Sequence, residues 1–101
     1  MKIVIAGIGK FGDYLTRQLV NQNNEITVID INFDGKESLV NNEDINNVEG
    51  NALDSNILEE AGVKNADLLI SSMKEDSENV MCALLARKLG VRNTIARIRR
   101  P

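Results

Sequence analysis

The chain predicts an α/β fold, a Rossmann-like doubly wound parallel sheet in strand order 3-2-1-4-5. Three observations carry this expectation. Short apolar runs of strand length alternate with segments of helical period from one end of the chain to the other. The first apolar run passes directly into Gly7-Ile8-Gly9-Lys10-Phe11-Gly12, a glycine spacing that turns a strand tightly into a helix. The second run ends on an acid, Asp30, about 20 residues further on. Right-handed crossovers limit the topologies and leave a crevice between the first and fourth strands.

Each element follows in order. Ile3-Val4-Ile5-Ala6 is a continuous apolar run, as a strand buried on both faces requires. A helix starts near Lys10, with Phe11, Leu15 and Leu19 spaced as one stripe, and the polar residues 21–24 end it. Residues 26–29 form the second strand, closed by Asp30. Residues 34–43 predict a short helix with Leu39 and Val40 inward. Residues 45–48 are the third strand, closed by Glu49-Gly50. Asp54 or Ser55 can cap the next helix, which turns Ile57, Leu58 and Ala61 inward and stops at Gly62. Residues 66–70 are the fourth strand. Residues 75–89 are a long helix with Val80, Leu84 and Leu85 as its buried stripe, ended by Gly90, and residues 94–98 are the fifth strand.

Length and composition narrow the chemistry. A chain of 101 residues supports one domain, read as 1–101, with a single core. Hydrophobic residues make up 43% and charged residues 27%, an ordinary globular balance. A net charge of −3 without a long basic tract argues against nucleic acid as a partner, and Arg97-Ile98-Arg99-Arg100 is too short to form a patch alone. No stretch approaches the ~20 apolar residues of a membrane span, and no signal peptide precedes the first strand, so a cytoplasmic location is expected. The lone Cys82 permits no internal disulfide. With no histidine either, no metal site is expected, and imidazole acid–base chemistry is excluded.

The glycine loop has a mechanical meaning. Gly7 permits the turn out of the strand, Gly9 lets backbone approach a pyrophosphate, and Gly12 lets the helix pack closely on the sheet. The helix N-terminus then offers free N–H groups and partial positive charge to a phosphate. Asp30 can accept from the 2′- and 3′-hydroxyls of a ribose and repels a 2′-phosphate. NADP is therefore disfavoured; NAD(H) is the leading candidate, although Asp30 does not separate it from ATP, ADP or AMP, which share the same unmodified ribose. Lys10 can neutralise phosphate charge or stand solvated in the first helical turn.

At this level the chain resembles a known family. The glycine loop, Val28-Ile29-Asp30, Glu49-Gly50-Asn51-Ala52, Ala61-Gly62, Ala66-Asp67-Leu68-Leu69-Ile70, Glu78-Asn79 and Ile95-Ala96-Arg97 fall in the order and spacing of the N-terminal domain of Trk/Ktr potassium-uptake regulators. These are the TrkA-type, KTN or RCK-N domains. The resemblance covers essentially the whole chain. It implies a non-enzymatic cytoplasmic regulatory subunit that binds NAD(H), ATP or ADP. Such a subunit docks at the inner face of the membrane on a potassium transporter or channel, as a homodimer or a higher ring. The nucleotide biases the gate by favouring one arrangement of domains. The resemblance also implies a further strand and helix after residue 101, so the five strands read as a truncated sheet.

The resemblance carries site residues with it. Gly7, Ile8, Gly9, Lys10 and Phe11 match the pyrophosphate loop, with Gly12 behind it, and Asp30 with Ile31 matches the ribose side. Asn51 and Ala52 match the segment bordering the adenine. The family usually has Asp at the Asn51 position, and Asn keeps the acceptor while losing the charge. Met73 and Lys74 match the far half of the dinucleotide site, where a small hydroxyl residue is common in place of Met73. Arg97, expected in the fifth strand, matches an arginine of the nucleotide site, although it could also pair with a nearby acid. Two other functions remain open at this point. One is an NAD-binding fragment of an oxidoreductase, which would need its substrate domain and acid–base groups elsewhere. The other is a Rossmann-like domain with no ligand.

Overall fold

The run Ile3-Val4-Ile5-Ala6 becomes the centre of the sheet because all four side chains are buried. The structure is a computed structural model that describes residues 1–100. The strands are β1 (Lys2–Ala6), β2 (Glu25–Asp30), β3 (Ile45–Glu49), β4 (Leu68–Ser71) and β5 (Asn93–Ala96). All pair in parallel, in the order β3-β2-β1-β4-β5, the order that the alternation and the glycine loop together predict. The helices are α1 (Lys10–Val20), α2 (Glu37–Val40), α3 (Ser55–Glu60) and α4 (Asp76–Leu89), with a 3₁₀ turn at Val63–Asn65 that the pattern does not predict. No helix among the described residues is long and apolar enough to cross a membrane.

Alternate strand residues build two cores, one on each face. Ile3, Ile5, Val28 and Ile70 pack with Leu39 of α2 and with Leu15 and Leu19 of α1. Val4, Ala6, Ile29 and Leu69 pack with Leu58 of α3 and with Cys82 and Ala86 of α4. Because α1 and α4 cover opposite faces, the loops entering them diverge at the carboxyl ends of β1 and β4. That divergence opens a crevice.

Several expectations change. The helix expected over 34–43 shrinks to the four residues of α2, because Asn32 and Asn42 engage the amides of Asp34 and Asp44 in local turns on either side. Val40, expected inward, is exposed. Asp54, one of the two expected caps of α3, accepts from the Asn56 amide at 2.9 Å. In α4 the inward residues are Asn79, Cys82, Ala83 and Ala86, spaced i, i+3, i+4, i+7. Val80, Met81 and Leu84 are exposed and Leu85 is only partly buried, so the predicted stripe points largely outward. Small side chains let this helix close onto the sheet, and Asn79 has polar partners only on that side. Phe11 is also partly exposed, at the crevice and not in the core stripe of α1. β5 ends at Ala96, so Arg97 lies just past the strand, although its amide still donates to the Ser71 carbonyl at 2.9 Å.

Candidate functional site

The crevice is a cleft of about 740 Å3, within the usual range of small-ligand sites. Its floor is the glycine loop. Gly7 has φ +93°, and a Cβ there would lie 2.7 Å from the Ser72 carbonyl oxygen, so only glycine fits. A Cβ on Gly12 would press still closer on the Gly7 carbonyl oxygen, so the missing side chain seats α1 on the loop. Thr16, fully buried, donates to the Gly12 carbonyl at 2.7 Å and fixes the same turn. Gly9 caps α1 with no side-chain acceptor, and a Cβ built on it meets nothing within 4 Å. The first-turn N–H groups of α1, which a helix leaves without internal partners, therefore face an open approach.

Asp30 closes one end of the cleft. Its Oδ2 accepts from the Ile8 amide at 2.8 Å and its Oδ1 from the Asn32 amide at 3.3 Å. A carboxylate has about four acceptor positions, so both oxygens can still receive a hydroxyl. Ile31 beside it is exposed, and Ala52 is buried while still lining the cleft. The Oδ1 of Asn51 accepts from the Leu53 amide at 2.9 Å, so one lone pair of its amide oxygen is held by a local turn.

The other end is built from the β4–α4 loop and the residues after β5. Met73 and Lys74 line it together with Arg97, whose guanidinium lies 4.2 Å from the centroid of the Phe11 ring. That contact is a cation–π stack and not the acid pairing considered for Arg97. Ser72 is buried, and its Oγ has no hydrogen-bond partner among the described residues. Arg99 donates through its guanidinium to the carbonyls of Met73 and Lys74. Asp76 accepts from the Arg99 amide at 3.0 Å and the Arg100 amide at 2.9 Å. Those two backbone bonds hold its carboxyl below the usual aspartate range. Beneath them lies Asn79, fully buried. Its Oδ1 accepts from the Ser71 hydroxyl at 2.9 Å and the Met73 amide at 2.6 Å, and its Nδ2 donates to the carbonyls of Met73 at 3.1 Å and Arg97 at 2.9 Å. Cys82, one helical turn on, is in the core, and burial pushes its thiol up.

Gly7, Ile8, Gly9, Lys10, Phe11, Asp30, Ile31, Asn51, Ala52, Met73, Lys74 and Arg97 all line this one cleft. Gly12 does not line it and sits behind the loop. Sequence reading missed Tyr14, Ile29, Gly50, Ser72, Glu78 and Arg99. Tyr14 lies one turn after Phe11, and Ile29, Gly50 and Ser72 adjoin residues already singled out, so spacing could have found those four. Glu78 and Arg99 reach the cleft only through the tertiary fold. Four cations (Lys10, Lys74, Arg97 and Arg99) and two acids (Asp30 and Glu78) line the cleft, a positive pocket in a chain of net charge −3. Such a pocket draws anions.

Known proteins share this sequence and shape. Residues 3–101 match the family model described as the TrkA-N domain. The chain is 38% identical over its full length to the "Trk system potassium uptake protein TrkA" of Vibrio alginolyticus, of which it covers 22%. A homolog from Pyrococcus abyssi, 30% identical, is covered to 45%. The chain thus spans between about a fifth and a half of these relatives. Among solved structures, the Kef CTD of Shewanella denitrificans in its AMP-bound form superposes with TM-score 0.79 at 25% identity, covering 94% of this chain and 57% of that one. The GsuK channel bound to NAD gives TM-score 0.72 at 28% identity, over 88% of this chain and 16% of that one. A Veillonella parvula short-chain dehydrogenase in complex with NADP, at TM-score 0.74 and 21% identity over 92% of this chain and 45% of that one, shares the fold alone. By sequence over nearly its whole length, this chain belongs to the TrkA-N domain family.

Proposed function

We propose that this chain is the nucleotide-sensing part of a potassium-transport regulator and that its ligand is an adenine nucleotide with an unmodified ribose. The observation that carries the reading is the joining of Asp30 to the glycine loop through the Ile8 amide at 2.8 Å, beside the open N-terminus of α1. Ribose and pyrophosphate would then be held side by side, the ribose hydroxyls on Asp30 and the phosphates on the loop and first-turn amides. Three features of the cleft fit such a ligand: its volume, the open approach at Gly9, and the unpartnered Ser72 hydroxyl. Asn51 and Ala52 border the adenine in this arrangement, and Met73, Lys74 and Arg97 border the distal half. The NAD and AMP in the names of two structural relatives support the ligand class.

NAD(H) leads among the candidates, with ATP, ADP and AMP sharing its adenosine. The partner is a membrane-embedded potassium transporter or channel subunit at the inner face of the membrane, with this domain in a homodimer or larger ring. The names of the relatives support that assignment. The role is regulatory and not catalytic. The chain has no histidine for a proton relay, and likeness to a dehydrogenase extends only to fold.

Calorimetric titration with NADH, NAD, ATP, ADP, AMP and NADPH tests the reading. Nucleotides with a free 2′-hydroxyl should bind, and NADPH at least tenfold more weakly than NADH. Asp30→Asn keeps an acceptor for the Ile8 amide but removes the charge, and should narrow the NADH/NADPH ratio. Binding of none of the six, or preference for NADPH, overturns the proposal.

A further inference from the structure

Asn79 does not line the cleft, yet it holds two parts of its wall. It is one of four buried polar residues among those described, and it is fully buried. A primary amide can accept two hydrogen bonds and donate two. Asn79 accepts two and donates two, so its capacity is used completely. Its partners come from three places: the end of β4 at Ser71, the β4–α4 loop at Met73, and the residue after β5 at Arg97. Both polar backbone atoms of Met73 are bound, so this one side chain gives a loop residue the pairing a strand would give it. The carbonyl oxygen of the preceding residue, Ser72, is the atom against which Gly7 is packed. The Arg97 carbonyl is bound in the same way, in the residue whose guanidinium lies over Phe11.

A purely structural amide would need satisfied bonds in any direction. Three of these four go to the two segments that form the distal half of the cleft, at Met73 and Arg97, and the fourth anchors the amide to the end of β4 at Ser71. We infer that Asn79 is a positioning residue of the nucleotide site, acting through Met73 and Arg97 to fix the spacing between the β4–α4 loop and the end of β5. This rests on the nucleotide reading of the cleft. It adds a residue outside the cleft on which affinity depends.

The test separates positioning from stability. Asn79→Leu removes all four bonds at similar volume, and Leu39→Ala is a destabilising control in the core on the opposite face of the sheet. Affinities for ATP and for NADH are measured at a temperature where both variants are fully folded by circular dichroism. Asn79→Leu should weaken at least one probe tenfold or more, with Leu39→Ala within twofold of the parent chain. In an Arg97→Ala background the loss on Asn79→Leu should be smaller, because part of the path is already removed. Equal affinities for the two single variants overturn the inference. Absence of binding by the parent chain instead overturns the nucleotide reading. Should Asn79→Leu fail to fold, hydrogen exchange on the parent chain decides. The Met73 amide should be protected as strongly as the amides of β4, and exchange at the rate of an open loop overturns the inference.

Discussion

Gly7 illustrates how a missing side chain specifies a site. Its positive φ and its approach to the Ser72 carbonyl leave no room for a methyl group, and the opposing atom is backbone that cannot swing aside. Gly7→Ala should therefore cost about 1–3 kcal/mol, measurable by urea denaturation, and should weaken nucleotide binding as the loop shifts. Constraints of this kind are legible in the sequence because glycine spacing records them directly. The same holds for Asp30, whose place at a strand end follows from apolar pattern alone. Arg99 and Glu78 were not legible, since no spacing rule joins residues 78 and 99 to a loop at residue 7. Asn79 stands in the sequence only as half of the Glu78-Asn79 match to the family, with no role attached to it. Apolar size points the inward phase of that helix at larger side chains, Val80, Leu84 and Leu85, and so turns the amide away from the core.

The same error explains α4 as an element. Size suggested Val80, Leu84 and Leu85 as its core face, whereas burial follows the small residues Cys82, Ala83 and Ala86 with Asn79. Close approach to the sheet, and not side-chain bulk, sets the rotation of this helix. Two substitutions report it in opposite directions. Leu84→Ala should change stability by less than about 0.5 kcal/mol because the side chain is exposed. Ala86→Leu should destabilise by about 1–3 kcal/mol because no space exists for it. The N-terminus of α4 carries a second device, the strap of residues 99–100 on Asp76. With the folded Asp76 pKa held below its unfolded value, the strap is stabilising above the ordinary aspartate range, roughly 3.9, and is lost as pH falls through the lowered folded value. Amide chemical shifts of Arg99 and Arg100 should stay constant from neutral pH down to that range and titrate below it. Asp76→Ala should abolish the titration.

Across the whole molecule, alternation of strand and helix predicts a parallel sheet with few topologies, and the glycine loop after the first strand selects the order 3-2-1-4-5 that is found. That order fixes where the cleft opens. The loops after β1, β2, β3 and β4 and the residues beyond β5 all line it. A ligand that fills it should therefore stiffen the entire carboxyl edge of the sheet. A nucleotide at 100 times its dissociation constant adds about 2.7 kcal/mol of stability. For a chain of this size that raises the melting temperature by roughly 10 °C or more, read in a thermal-shift titration. Asp30 has one more consequence. The carboxylate that lines the cleft also ties the loop after β1 to the end of β2 through Ile8. Selection on folding alone would thus tend to keep a hydrogen-bond acceptor at position 30, even in a descendant of this chain that bound no ligand.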